Sequence, residues 1–494
     1  MIILSAIRLV KSLSASEKRY FKLASSIQTG DKDYITLFDI IDKSPSGDEK
    51  HIKKRFAAAS DASLNHSARY LLKVLTDCLI QLKLEKDTFF GMLQEIMRSR
   101  ILKERSLGTE GNDHLKKVRQ LASHSQQRWI EYFTYRDELN FLSDTDFTGI
   151  NDKDLVGTQM QAREILRDLN SIQNHYSLYE LLKYRIVHSG KIFSEENKKQ
   201  LYDLMLSEMA LVAEKSKYNF TSQKLHLLFQ SFFFIEIADY RSALTTFHSL
   251  NRLFEQNLSL LDHPPLDYFS TLGGIIDSLH MLKQYEEMNF YLEKLAELDK
   301  PSYPEYFRHQ IKKTICIFRI AMLTDAGDFK TAREFVRSMD ADMLHLYSLI
   351  NEEKSWEIYF YCSLAFFGNK DMKKAHHYIG KAMQLYNPSP QLFIYRAVRL
   401  LNIMIYYEND DSDYLEYELR SYKRLFRKNN ALLGIENLLI RFITAQPNKV
   451  RKRLPDNESR QFLQKIDSIS QDKYERQLLK YFDFAGWVRN KVTG

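Results

Sequence analysis

The chain has 494 residues, with 71 lysines and arginines against 64 aspartates and glutamates, and a formal net charge of +7. Hydrophobic residues make up 44% of it and aromatic residues 13%, which supplies enough apolar side chain for a core and excludes a wholly disordered chain. The 16 glycines and 9 prolines are few for this length, which disfavours turn-rich β-sandwiches and glycine-lined phosphate loops and favours long helices.

The sequence of residues 1–90 predicts a separate helical module. Ser14 and Glu17 have the spacing of a capping box, in which each side chain bonds the other residue's backbone N–H at the start of a helix. Further helices are predicted over residues 33–41 and at about 48–59 and 65–86.

The following stretch, residues 91–220, predicts long amphipathic helices. They cover about 88–140 and 155–217, and a polar loop over residues 143–154 separates them. Degenerate hairpins of the array that follows are an alternative, because spacing alone does not distinguish the two.

The clearest internal signal is a six-residue pattern that recurs from about residue 221. Its copies end at Ala243, Met288, Ala332, Ala375 and, more weakly, Tyr417, at spacings of 45, 44, 43 and 42 residues. Self-similarity at such a period is the sequence signature of a stacked helical array. The pattern therefore predicts helical hairpins over residues 221–430.

Each copy contains the residues that a hairpin turn requires. A small or polar residue precedes an Asp or Gln that makes the turn and caps the second helix, namely Asp239, Gln284, Asp328 and Asp371. The Ala or Met that ends the pattern must be small or pliable, because two helices approach closely there. An apolar residue follows four positions later on the same helix face, at Phe247, Leu292, Val336 and Ile379.

These segments resemble the tetratricopeptide repeat superfamily in the turn, in the small residue of the second helix (Ala243, Ala332, Ala375) and in the bulky residue four positions later. Ala382 and Pro388 also match the family's helix-closing small residue and proline. The resemblance implies an antiparallel helix-hairpin array, a TPR-like α-solenoid, that presents a groove to a partner. The units exceed the family's 34 residues and mostly lack its Trp, Gly and Tyr, so we expect helices longer by about a turn each.

Residues 431–494 predict basic helices that cap the array. One or two helices over residues 456–490 would pack through Phe462, Ile466, Leu478, Leu479 and Trp487. Because the strict alternation typical of strands occurs nowhere, the whole chain is predicted to be all-α.

The spacings that catalysis or cofactor binding requires are missing from the sequence, which has no HExxH, CxxC, Walker A, GxGxxG or GxSxG. The neighbours His376 and His377 would point about 100° apart on a helix and cannot share a metal, so we expect them on an exposed helix surface. A calcium loop that starts at Asn409 fails, because Tyr414 and Arg420 occupy the positions of its glycine and its bidentate glutamate. We therefore predict no enzyme, no cofactor and no metal site.

The three cysteines, Cys78, Cys316 and Cys362, are too far apart for a disulfide framework or a zinc knuckle, and we expect buried thiols in a reducing compartment. Arg8 and Lys11 interrupt the apolar start of the chain, which lacks the features of a signal peptide. Since no run reaches 18 apolar residues, we predict no membrane span and a cytoplasmic location.

Charge is distributed unevenly, because residues 1–120 and 420–494 are net basic and residues 121–419 are net acidic. This distribution fits a partner surface or head-to-tail self-association, or has no functional meaning. Candidate contacts to phosphates or to an acidic partner are Arg420, Arg424, Arg427, Lys449, Arg451, Lys452 and Arg453. The alternative is a solvated helix face whose cations offset the negative end of the helix dipole. A second basic run covers residues 50–55, without a convincing recognition helix.

Most of the 29 tyrosines and 31 phenylalanines are expected to fill the seams between hairpins. Four tyrosines are candidates for groove anchors of a partner peptide, namely Tyr359, Tyr361, Tyr395 and Tyr406. Packing in the core is the alternative, and the composition favours it for each of the four rings.

The leading functional hypothesis is a non-enzymatic scaffold or adaptor that presents a helical groove to a peptide or protein partner. The alternative is a regulator that contacts nucleic acid through its basic terminal segments and uses the array to bind or sense a partner. Phosphate contacts weaken steeply with salt, so the salt dependence of binding separates the two hypotheses. Charge reversal at residues 451–453 tests the second one directly.

Overall fold

The computed structural model describes residues 2–27, 33–44, 49–56, 61–188, 195–213, 219–339, 352–385, 392–427, 432–445, 456–472 and 475–493. Within these ranges every regular element is a helix, which confirms the predicted all-α fold. Consecutive helices pack against each other along most of the chain, as in a helical array.

The N-terminal module has one hydrophobic core. Its helices are α1 (Ile2–Ser12), α2 (Ala15–Ile27), α3 (Asp33–Lys43), α4 (Glu49–Arg55) and α5 (Asp61–Lys86). The predicted capping box is confirmed, because the Ser14 N–H donates to Glu17 Oε2 over 2.7 Å and the Glu17 N–H donates to Ser14 Oγ over 3.3 Å. Apolar residues at helical spacing, such as Ile3, Ile7 and Val10 on α1, are fully or almost fully buried.

The next five helices are long and have smaller cores. They are α6 (Thr88–Glu104), α7 (Gly108–His124), α8 (Arg128–Asp144), α9 (Asp152–His188) and α10 (Glu195–Ala213). α6 to α9 pack pairwise in chain order. Ser106 and Gln126, in the turns after α6 and α7, have φ values of 64° and 57°.

The region with the repeated pattern contains five hairpins, whose first and second helices alternate. They are α11 (Phe220–Glu236) and α12 (Tyr240–Gln256), α13 (Leu266–Met281) and α14 (Tyr285–Ala296), α15 (Glu305–Asp325) and α16 (Phe329–Ser338), α17 (Glu352–Gly368) and α18 (Met372–Gln384), and α19 (Phe393–Glu408) and α20 (Ser412–Arg427). A short 3₁₀ helix, Leu258–Leu260, precedes α13. Among the first helices, α13 packs on α15, α15 on α17 and α17 on α19, so they form one layer.

All five hairpins share one turn geometry. A left-handed residue ends each first helix, namely Ala238, Lys283, Gly327, Lys370 and Asp410, with φ between 55° and 73°. The next N–H bonds back to a carbonyl five residues earlier, as Asp239 does to Phe234 over 2.9 Å, which is the Schellman closure of a helix.

The predicted caps hold at three of the four turns. The carboxylates of Asp239, Asp328 and Asp371 accept hydrogen bonds from backbone N–H groups of the second helix over 3.1–3.2 Å. Gln284 makes no side-chain cap bond, so the prediction is wrong at that turn. The small residues behave alike, because Ala243, Met288, Ala332 and Ala375 are each the fourth residue of a second helix and fully buried.

The last helices are α21 (Gly434–Ala445), α22 (Asp456–Gln471), α23 (Arg476–Leu479) and α24 (Phe484–Thr493). The predicted packing face is confirmed, since Ile466 and Leu478 are buried and Phe462, Leu479 and Trp487 pack against the same core. Cys316 and Cys362 are buried as expected, whereas Cys78 is only partly buried, which corrects that prediction.

Candidate functional site

The candidate site is the face that α11, α13, α15 and α17 form together, which we call the first-helix face. Residues 475–483, here the C-terminal segment, lie across this face. The segment is fixed at its start, because the Glu475 carboxylate accepts hydrogen bonds from the N–H groups of Gly434 and Ile435 at the N-terminus of α21. It is fixed at its end by α24, whose Phe484 and Val488 are fully buried.

Three side chains of the segment contact three of the first helices, α11, α13 and α17. Gln477 Nε2 donates to the backbone carbonyl of Glu236, the last residue of α11, over 2.6 Å. Lys480 Nζ lies 3.7 Å from the Asp277 carboxylate of α13. The Tyr481 ring lies edge-on to Phe360 of α17, with the centroids 6.0 Å apart. The face thus contacts the segment through a backbone acceptor, a carboxylate and an aromatic ring.

A cavity of about 300 Å³ remains between the segment and the helices. Its apolar wall comes from phenylalanines of α11, α12, α13 and α15, and its polar wall includes Asp277, Glu357 and Lys480. Gly273 and Gly274 of α13 also line it. A volume of this size is at the lower end of the range for small-ligand pockets and can hold a large side chain.

Adding a methyl group at each of the two neighbouring glycines of α13 should have opposite effects on stability. At Gly274, a Cβ would lie 2.2 Å from the ring of Phe247, which is buried and cannot move aside, so Gly274→Ala should lower the free energy of unfolding by about 1–3 kcal/mol. At Gly273, a Cβ would meet no atom within 4 Å, so Gly273→Ala should be neutral or stabilise the helix by up to about 1 kcal/mol. Thermal unfolding of the two variants checks this, and equal effects would contradict the packing described here.

A second cavity, of about 510 Å³, lies on the other side of the segment. The turns after α11 and α13 line it, together with Asp325 of α15 and with Lys480 and Asp483 of the segment. In its wall, His280 Nε2 lies 2.9 Å from Asp325, and the Tyr285 hydroxyl donates to the same carboxylate over 3.1 Å. The first-helix face therefore continues beyond the part that the segment covers.

The face is partly desolvated and has mainly acidic groups around Lys480. Burial raises the pKa of Glu236 to about 7, although Lys480 opposes the shift. Burial lowers the pKa of Lys480, but acidic neighbours, above all Asp277, outweigh it and raise that pKa well above its ordinary value. Within α17, Lys354 and Glu357 pair over 2.7 Å. This electrostatic environment favours a cation at the position of the Lys480 ammonium.

The structure separates the four candidate tyrosines. Tyr359, Tyr361 and Tyr395 are buried, in agreement with the favoured alternative that these rings pack in the core. Tyr361 nevertheless lines the cavity of about 300 Å³. Tyr395 packs against Trp356 with the centroids 5.6 Å apart. Tyr406 is half-buried, and its hydroxyl lies 2.9 Å from His376 Nε2 on α18.

The basic candidates are only partly described. Arg420 and Arg424 are exposed on α20, and Arg420 pairs with Glu416 one turn earlier. Arg427 ends α20, but its side chain is outside the described part of the structure, as are residues Lys449, Arg451, Lys452 and Arg453. Contact with phosphates or with an acidic partner through these residues stays a prediction.

The other motifs give no further site. His376 and His377 are exposed on α18, as expected. In the described ranges, no group of three or more His, Cys, Asp or Glu residues is arranged to hold a metal ion. The helices within these ranges also include none with the length and apolarity that a membrane crossing needs.

Sequence reasoning missed the C-terminal segment and the first-helix face. One signal was available, namely charged residues next to apolar residues in the first helices, such as Asp277 of α13 and Glu357 of α17. Comparison with protein-family models and with curated proteins found no match for this chain.

Proposed function

We propose that this chain is a non-enzymatic scaffold or adaptor that presents its first-helix face to a peptide or protein partner. The resemblance of its repeated hairpins to the tetratricopeptide superfamily supports this role, but a fold alone does not determine a function. The observation that carries the proposal is the C-terminal segment, a peptide that is already seated on the face through Gln477, Lys480 and Tyr481.

The physical properties of the face suit peptide binding. Packed helices with closed turns hold its groups in place, so little conformational entropy is lost when a partner binds. Apolar walls beside a few placed charges give both affinity and orientation to an incoming peptide. The buried cysteines Cys316 and Cys362 fit a reducing compartment, and we place the protein in the cytoplasm.

Site-specific photocrosslinking in cells of the source organism tests the proposal. A diazirine-bearing amino acid at position 273 should form adducts with a partner protein, because this position opens into the cavity. The matched control carries the same group at Thr245, an exposed position of the second helix α12. We expect at least tenfold more partner adducts at position 273 than at position 245. Intramolecular links from position 273 to residues 475–483 are counted separately. Equal yields at the two positions, or no partner adduct at 273, would contradict the proposal.

A further inference from the structure

The C-terminal segment differs from the capping helices on either side of it. Gln477, Lys480 and Tyr481 turn toward α11, α13 and α17, and the described bond from Gln477 to Glu236 joins residues 241 positions apart. Its two ends are held independently, by the α21 N-terminus at Glu475 and by α24. Between these anchors Leu478 is fully buried and Gln477 and Tyr481 are 7% exposed, so release of the segment from the face exposes Leu478 to solvent.

One contact of the segment, the ion pair of Lys480 and Asp277, is partly open to solvent and long. The Lys480 and Asp277 side chains are each about one quarter exposed, and their charged atoms are 3.7 Å apart, longer than a direct hydrogen bond. Cavities of about 300 and 510 Å³ flank Lys480 on its two sides. A competing peptide with a better-placed cation and more apolar surface could use space that the segment leaves empty.

We infer that the C-terminal segment is an intramolecular ligand of the first-helix face and that the partner is a peptide with a basic residue next to an aromatic residue, which replaces Lys480 and Tyr481. This inference rests on the proposed function and specifies the partner's chemistry. The acidic groups around Lys480, Asp277 first among them, select the cation. Phe360 and the phenylalanine-lined cavity select the aromatic ring. A partner binds by displacing the segment, so its apparent affinity falls with the fraction of protein in the closed state.

A labelled peptide of residues 475–483, added to the full-length chain, tests the inference by fluorescence anisotropy. Wild-type protein should bind it weakly, because its own segment occupies the face. In Lys480→Asp the tethered segment is repelled by Asp277, so the free peptide should bind at least tenfold more tightly. The Asp277→Lys variant should bind the unmodified peptide no more tightly than wild-type protein does. The same variant should bind a second peptide, in which aspartate replaces the lysine, at least tenfold more tightly than the unmodified peptide.

The milder variant Lys480→Ala guards against a loss of folding. It should give an intermediate gain in affinity, with an unfolding temperature within a few degrees of wild type. Equal binding of the peptide to wild type and Lys480→Asp, or no binding to any variant that keeps its thermal transition, would overturn the inference. If position 273 still crosslinks a partner in that case, the proposed function stands and only the intramolecular ligand is excluded.

Discussion

Replacing Glu436 with alanine should lower the free energy of unfolding of the C-terminal half by about 3–5 kcal/mol. Glu436 is fully buried on α21, and its two oxygens accept hydrogen bonds from Arg396 Nη1 of α19 over 2.8 and 2.9 Å. The Tyr422 hydroxyl donates to it over 2.5 Å and the Leu433 N–H over 2.6 Å. In the alanine variant the Arg396 guanidinium stays buried but loses the Glu436 carboxylate, and this loss strongly destabilises the folded state.

Denaturant unfolding and amide hydrogen exchange in α19 and α21 measure the effect. The surface pair of Arg420 and Glu416 provides the control, because Glu416→Ala removes an exposed ion pair and should change stability by less than about 1 kcal/mol. The triple variant Arg396→Met, Tyr422→Phe, Glu436→Leu replaces the whole network with apolar groups and should be much closer to wild type than Glu436→Ala. A loss below about 1 kcal/mol for Glu436→Ala would show that this network does not join α19, α20 and α21.

Replacing Lys313 with methionine should stabilise the protein at neutral pH and remove part of its pH dependence. Lys313 is 2% exposed on α15, and its ammonium donates to Ser355 Oγ of α17 over 2.7 Å. The pKa of Lys313 is lowered to about 7, mainly because the ammonium is buried and also because the charge of Lys354 is nearby. In the unfolded chain the pKa returns to its ordinary value of 10.5.

The sign of the effect follows from these two values. Between pH 7 and pH 10.5 the unfolded state binds more protons than the folded state, so Lys313 makes stability rise with pH in that window. The stability advantage of Lys313→Met over wild type should therefore shrink by about 2 kcal/mol between pH 7 and pH 9. The neighbour Lys312 is partly exposed and lies 3.5 Å from Asp299, and Lys312→Met should change stability by less than about 1 kcal/mol. A constant difference between Lys313→Met and wild type would contradict the lowered pKa.

Local features of the fold were predictable from the sequence because their causes lie within a few residues. The Ser14–Glu17 box, the Asp caps and the burial of Ala243, Ala332 and Ala375 depend on spacings of three or four positions, and these were found as predicted. Gln284 was predicted by analogy with Asp, but its longer side chain makes no cap bond.

The site was not predictable, because its contacts join residues that are far apart in the chain. Nothing near Gln477 indicates that it bonds Glu236 at the end of α11. The apolar pattern of residues 456–490 predicted a capping face and was right for Leu478, yet the same pattern carries no signal for the contact between Lys480 and Asp277. Burial of Tyr359 and Tyr395 likewise depends on which helix lies opposite, which a single sequence does not specify.

We propose that the first-helix face is a binding surface from which residues 476–483 can separate without unfolding of the core. Amide hydrogen exchange of the full-length chain, with wild type compared with Lys480→Asp, tests this most directly. Exchange should rise at least tenfold in residues 476–483 and in the last turns of α11 and α13, while α19 and α24 keep their protection. Loss of protection across residues 432–493 as one unit would show that the segment is a permanent part of the core and would contradict the claim.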